Sequence, residues 1–275
     1  VSLRLDKPFG QHLHTLGRPA VGMWVCSGSP VVAEICAGSG LDWLLIDGEH
    51  GVASLETVQQ LLQVTAAYPV QDMVRLPSLD VVAVKQFLDA GAQNLLIPMV
   101  DTAQMARDAV AATRYPPAGV RGVGSALSRS ARWGGVPGYL TEAEKYISLF
   151  VQIESAAAVA NAEEICAVDG LAGVFIGPSD LAASMGLLGQ QNHPQVVDAV
   201  KRVIEIARAA GVKVGVNAFD PAQAEDYLAA GADFILVAAD VQLLALESKK
   251  LAARFVQDAT PGSADVGYFG GTERS

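Results

Sequence analysis

The stretches DAGAQNLLIP (89–98), AAGVKVGV (209–216) and AAGADFILV (229–237) repeat one phrase: an alanine-rich helix end, a glycine, then an apolar run of strand length. Glycine after the last helical residue accepts the left-handed conformation that stops a helix. A short, continuously apolar run is what a strand buried on both faces needs. Working outward, such runs occur at Val21–Val25, Trp43–Asp47, Met73–Leu76, Leu95–Met99, Ser148–Glu154, Gly173–Ile176, Val212–Val216 and Phe234–Val237. Helical patterns lie between and after them, over Pro30–Ala37, Leu55–Ala66, Val81–Ala90, Ala103–Thr113, Ala156–Ala167, Pro194–Ala210, Ala222–Ala230 and Val241–Phe255. Eight strand–helix units without a linker predict an α/β fold, a (β/α)8 TIM barrel, with an extra N-terminal helix over Pro8–Leu16. A single barrel domain is expected over residues 1–258, and a flexible tail, or one docked on a partner subunit, over 259–275. Tyr115 to about Lys145 interrupts the rhythm, as a lid or a subunit contact would.

Composition bounds the function. In 275 residues, 51% hydrophobic content supports a large core, and a formal net charge of -10 argues against a nucleic-acid surface. Cys26, Cys36 and Cys166 are isolated from one another, with no zinc-site or disulfide spacing. No leader-like segment opens the chain and no apolar run is long enough to span a bilayer, so the expectation is a cytoplasmic protein without a membrane partner.

A barrel of this kind carries its site at the carboxyl ends of the strands. Glu154 and Asp180 end neighbouring strands, and two carboxylates with open positions suit a hard divalent ion; capping the helix that follows is the alternative for each. Arg75, directly after an apolar run, could clamp a carboxylate or an oxyanion, or make a rim salt bridge. His50 is the only histidine at a strand end and the plausible general base, with Asp47 and Asp89 as supporting acids; a structural histidine at a turn is the alternative. Lys213 opens its strand at the wrong end and Lys85 is helical, which disfavours imine chemistry. Cys26 ends the first strand without an adjacent base and reads as a structural thiol. The glycines of GVRGVGSALS (119–128) lack the context of a dinucleotide fingerprint.

Five motifs in order, LLIDGEH (44–50), LLIPMV (95–100), RYPPAGVRGVGSALSR (114–129), VQIES (151–155) and GVFIGPSDLAASMG (173–186), resemble the HpcH/HpaI aldolase family, the class II pyruvate aldolases, from about Gly17 to Phe255. The resemblance implies a carbon–carbon lyase that reversibly cleaves 4-hydroxy-2-oxoacids, such as 4-hydroxy-2-oxoheptanedioate or 2-keto-3-deoxyglucarate, into pyruvate and an aldehyde. It implies a divalent cation (Mg²⁺, Mn²⁺ or Co²⁺) on Glu154 and Asp180, chelated by pyruvate through its keto and carboxylate oxygens. Arg75 matches the position that stabilises the enolate oxygen, His50 the catalytic histidine, and Asp89 the acid that supports its basicity, with Asp47 beside it. Gln152 and Ser179 match substrate contacts, Ser179 standing where the family often has alanine. Trp24 and Asn217, with Phe219, are expected to border the aldehyde entrance, and Asn217 and Phe219 are less aliphatic than the heptanedioate enzymes. A homohexamer, a trimer of dimers with exchanged C-terminal helices, is also implied. The rival readings are a lyase acting on CoA thioesters through a metal enolate and a ligand-binding barrel without turnover.

Overall fold

Each apolar run pairs in parallel with the next, and the last returns to the first. The computed structural model describes Leu3 and residues 5–256, with strands β1 (Ala20–Val25), β2 (Trp43–Asp47), β3 (Gln71–Arg75), β4 (Asn94–Ile97), β5 (Ser148–Ile153), β6 (Gly173–Ile176), β7 (Lys213–Asn217) and β8 (Phe234–Ala239). They close into one barrel in sequence order, β8 against β1. The expected tail, 259–275, lies outside the described residues. No helix among the described residues is long and apolar enough to cross a membrane.

Two apolar layers hold the barrel. One lies between strands and helices, where residues such as Val58, Leu61, Val84, Ile165 and Val200 pack on the outward faces of the strands. The other fills the interior with Trp24, Trp43, Phe150, Phe175 and Phe234. Room for these rings comes from small residues on adjacent strands: a Cβ on Gly215 would stand only 2.2 Å from Phe234 Cε2. The N-terminal helix, Phe9–Thr15, closes the amino end. Its Phe9 is fully buried and stacks on Trp43 with centroids 5.2 Å apart, while Asn94 Oδ1 accepts from Phe9 N at 2.6 Å. With that end plugged, the opposite mouth is left for chemistry.

The structure revises several boundaries. The helix expected over Ala156–Ala167 is two short ones, Ala156–Ala160 and Ala162–Cys166, broken at Asn161, whose Nδ2 donates to the Asp101 carbonyl at 2.8 Å. The helix after Asp180 starts earlier than a cap there would place it: it runs Pro178–Ser184 with Gly177 as its N-cap. The interruption after Tyr115 is an ordered strap of short turns with its own core of Ala131, Val136, Tyr139 and Ala143.

Asp72, on β3, is an acid that the mouth does not use. Its Oδ1 is shielded from solvent without a partner, and burial pushes the carboxyl up to about 7, against the pull of Thr65 and Arg129. Thr65 Oγ1 lies 3.0 Å from the Leu61 carbonyl and 2.6 Å from Asp72 Oδ2; its one proton serves one of them, so both bonds form only when Asp72 carries a proton. The folded state therefore binds a proton that the unfolded chain releases near pH 4. The associated stability is complete below that pH and is lost as pH rises through about 7. Asp72→Asn, which supplies a permanent donor, should match the native protein at pH 5 and exceed it by on the order of 1–3 kcal/mol at pH 8, measured by urea unfolding.

Candidate active site

Asp47 and Arg75 are register partners at the carboxyl ends of β2 and β3. That adjacency makes a bidentate pair: Arg75 Nε and Nη2 donate to Asp47 Oδ1 and Oδ2, both at 2.9 Å. Arg75 Nη1 also lies 2.9 Å from Glu49 Oε2, and the guanidinium sits 4.4 Å from the centre of the Trp24 ring. Burial works against the Arg75 charge, but Asp47, then Glu49 and Glu154, more than restore it. Burial likewise opposes ionisation of Asp47, yet Arg75 and the N–H groups of Glu49 and His50 hold its carboxyl below the usual range.

Glu154 sits at the end of β5 and is 2% exposed. It caps no helix: Ser155 does, its side chain accepting from Ala158 N at 2.9 Å. The Glu154 carboxylate instead accepts from Met99 N at 2.7 Å and from Gln152 Nε2. Met99 takes a left-handed backbone, φ 53°, to present that N–H, a conformation costing an L-residue roughly 1–2 kcal/mol. Burial, then the charges of Asp180 and Glu49, push Glu154 up to about 7. Asp180 stands in the first turn of Pro178–Ser184, whose N-cap is Gly177. A Cβ on Gly177 would come 2.7 Å from Glu154 Oε2, so glycine keeps the space beside that oxygen open.

His50 is bound through its backbone to Asp47, while its imidazole is 71% exposed with Nε2 3.9 Å from Glu49 Oε2. It is not a buried structural histidine. Trp24, Asp47, His50, Arg75, Gln152, Ser179, Asp180 and Asn217 all line one cleft of about 490 Å³ at the barrel mouth. Trp24 Nε1 donates to Asn217 Oδ1 at 2.7 Å, and the Gln152 Oε1 is buried without a partner.

Asp89 is not brought to this cleft. It lines a separate groove and, within the chain, pairs with Arg121 at 3.1 Å and Ser128 at 3.5 Å rather than with His50. Two acids to which the sequence reading gave no role also belong to the mouth end. Glu49 shares Arg75, and burial pushes its carboxyl up. Asp240, directly after β8, accepts from Cys26 N at 2.9 Å and Ser27 N at 3.1 Å; an acid closing an apolar strand was the signal available for it. Cys26 is a thiol, pushed up to about 12 by burial and then by Asp47 and Asp240.

Asp47, Glu49, Glu154 and Asp180 thus gather around one arginine, whose contacts are taken by the first two. A cation is what this electrostatic arrangement lacks. Among the described residues no three His, Cys, Asp or Glu side chains cluster closely enough to hold an ion unaided. A hard octahedral cation asks the protein for only one or two carboxylates and takes water and substrate oxygens for the rest. Glu154 and Asp180, with the space kept by Gly177, fit that demand.

A family model described as HpcH/HpaI aldolase/citrate lyase matches residues 20–246. The chain belongs to this family. It is therefore an enzyme of the lyase class. Its HpcH/HpaI relatives include a 4-hydroxy-2-oxo-heptane-1,7-dioate aldolase of Salmonella arizonae, 51% identical over 239 residues, covering 87% of this chain and 91% of the relative. A hydroxypyruvate/pyruvate aldolase of Deinococcus radiodurans is 49% identical over 255 residues, 92% of each chain. An HpcH/HpaI family structure from Burkholderia cenocepacia superposes with a TM-score of 0.85 at 39% identity, covering 90% of this chain and 98% of the other.

The Asp47–Arg75 pair is the support of this mouth. Removing Asp47 takes two charged hydrogen bonds from the buried Arg75 but leaves it Glu49, so the cost falls short of the about 3–5 kcal/mol of a fully stranded charge. Asp47→Ala is expected to lose about 2–3 kcal/mol in urea unfolding, and a loss below roughly 1 kcal/mol would show that the pair is not a support.

Proposed function

We propose that this enzyme is a divalent-cation-dependent aldolase that reversibly cleaves 4-hydroxy-2-oxoacids to pyruvate and an aldehyde. The observation that carries this reading is the Glu154 and Asp180 pair, which no lysine or arginine among the described residues contacts, beside a buried arginine in a barrel mouth. The names of the relatives supply the reaction class: one acts on 4-hydroxy-2-oxo-heptane-1,7-dioate and another is a hydroxypyruvate/pyruvate aldolase.

Glu154 and Asp180 would hold Mg²⁺, Mn²⁺ or Co²⁺, and such a cation, when bound, supplies a Lewis acid to the 2-oxo group of the substrate. The protein's own residues do the rest. Cleavage of the C3–C4 bond moves an electron pair toward the 2-oxo oxygen, and the Arg75 guanidinium stabilises the charge that grows there. Its contacts with Asp47 and Glu49 leave at least two of its five N–H donors for that oxygen, already oriented before reaction. His50, at the exposed rim, accepts the proton of the 4-hydroxyl during cleavage and returns it during synthesis. Asp47 positions it through its backbone N–H. Gln152 and the backbone amide of Ser179 contact the pyruvate portion, and Trp24 and Asn217 border the departing aldehyde. Asp89, bound to Arg121, takes no part in this proposal within one chain.

A CoA-thioester lyase is the weaker reading, because CoA phosphates call for cations and, among the described residues lining the cleft, Arg75 is the only lysine or arginine. The hexamer with exchanged C-terminal helices has support in Asp240–Phe255, which buries only Asp240 and Gln242 and exposes Leu244, Leu251 and Phe255. The described cysteines are all free, in keeping with a reducing cytoplasm.

Pyruvate release from a 4-hydroxy-2-oxoacid, coupled to NADH oxidation, should stop in EDTA and return with added Mg²⁺ or Mn²⁺; full activity in EDTA would remove the cation from the account. Glu154→Ala and Arg75→Ala should each lower kcat by roughly 100-fold or more. Unchanged release in either variant would contradict the assignment.

A further inference from the structure

We propose that the aldehyde released by this enzyme is uncharged and hydroxylated, recognised by Asn217 and by an amide-lined recess that opens beside it; the proposal rests on the aldolase reading above.

The recess is about 20 Å³, room for one water or one hydroxyl group, and is lined by Ser179, Gln191, Asn192, Asn217, Gln223 and Tyr227 among others. Ser179 and Asn217 line the main cleft as well, so the two spaces meet there. Tyr227 is 1% exposed, and its hydroxyl is buried without a hydrogen-bond partner. A group so placed favours a ligand or water that can bond to it, since leaving it unsatisfied costs roughly 1–3 kcal/mol.

Trp24 sets the direction of the Asn217 amide. An indole N–H only donates, so the oxygen of Asn217 must face it, as the 2.7 Å contact requires. The Nδ2 donors are then what Asn217 offers to a ligand. Trp24 is itself held by Arg75 over its ring and by Phe175 at its edge, 6.3 Å between centroids. The amide is thus fixed before the ligand arrives.

Charge decides between the oxygen groups that such donors accept. Among the described residues lining the cleft and the recess, Arg75 is the only lysine or arginine, and Asp47 and Glu49 already engage it. Asp180 lines the cleft and Asp220 the recess. A carboxylate at the far end of the aldehyde would be desolvated near Asp220, with no lysine or arginine among the described lining residues free to pair with it. A hydroxyl both donates and accepts, and it meets amides in either sense. The substrate class that follows is a 4-hydroxy-2-oxoacid bearing at least one further hydroxyl beyond C4 and no second carboxylate.

The test is aldol addition of pyruvate by the full chain with Mg²⁺, comparing kcat/KM for glyceraldehyde, propanal and succinic semialdehyde. Exchange of the pyruvate methyl protons in D₂O is followed in parallel without aldehyde. Glyceraldehyde should exceed each of the others by at least about tenfold, because a site built to bond a hydroxyl discriminates against its absence. In Asn217→Leu the glyceraldehyde-to-propanal ratio should fall toward one, and that ratio does not depend on how much of the variant is folded. If propanal or succinic semialdehyde equals glyceraldehyde, or if Asn217→Leu leaves the ratio unchanged, the proposal is overturned while methyl exchange keeps the aldolase reading standing. Absence of both exchange and addition with every aldehyde overturns the aldolase reading itself, and the inference with it.

Discussion

One guanidinium holds two carboxylates at the mouth of this barrel. Arg75 meets Asp47 because β2 and β3 place them in register, and it meets Glu49 because the turn after β2 folds back over it. Spending that charge there leaves Glu154 and Asp180 without a contacting cation among the described residues, in a setting where burial already disfavours ionised oxygen. The result is a mouth that is rigid on the β2–β3 side and electrostatically open on the β5–β6 side. A catalyst of enolate chemistry uses both properties: fixed donors where charge develops, and a place for a cation next to them.

The barrel enforces that division. Phe9 and the interior rings close the amino end, so the polar ends of β1, β2, β3, β5, β6 and β7 converge on one cleft. Among the described residues at the mouth, the one left-handed non-glycine backbone serves Glu154. Met99 adopts its left-handed backbone to donate to that carboxylate, and Gly177 gives up a side chain to leave room beside it. Both residues lie in short connections after strands, where the surrounding sheet can impose an unfavourable backbone.

Much of this was legible in the residue order because the decisive signals are local. A helix, a glycine and an apolar strand follow one another within ten residues, so the barrel could be read from phrases such as AAGADFILV (229–237). Arg75 and Glu154 stand at the ends of apolar runs, and His50 and Asp180 follow such runs within a few residues, so the fold decides their position. What escaped depends on contacts between distant parts of the chain or on the backbone alone. The Cys26–Asp240 hydrogen bond spans 214 residues, and the Trp24–Asn217 bond 193. The Met99 N–H has no side-chain signature, and the break at Asn161 arises from a side-chain bond to the carbonyl of Asp101 that no helical periodicity encodes. Asp89 shows the converse: its place in FLDAG (87–91) matches a partner for His50, while within one chain the strap after Tyr115 pairs it with Arg121.

The central claim is that Glu154 and Asp180 form a site for one divalent cation. Calorimetric titration of Mn²⁺ into the metal-free protein, native and Asp180→Ala, addresses it most directly. The account predicts one ion per chain in the native protein and a loss of at least about tenfold in affinity in the variant, with pyruvate strengthening binding only in the former. Absence of binding to the native protein, or equal affinity in a folded Asp180→Ala, would contradict it.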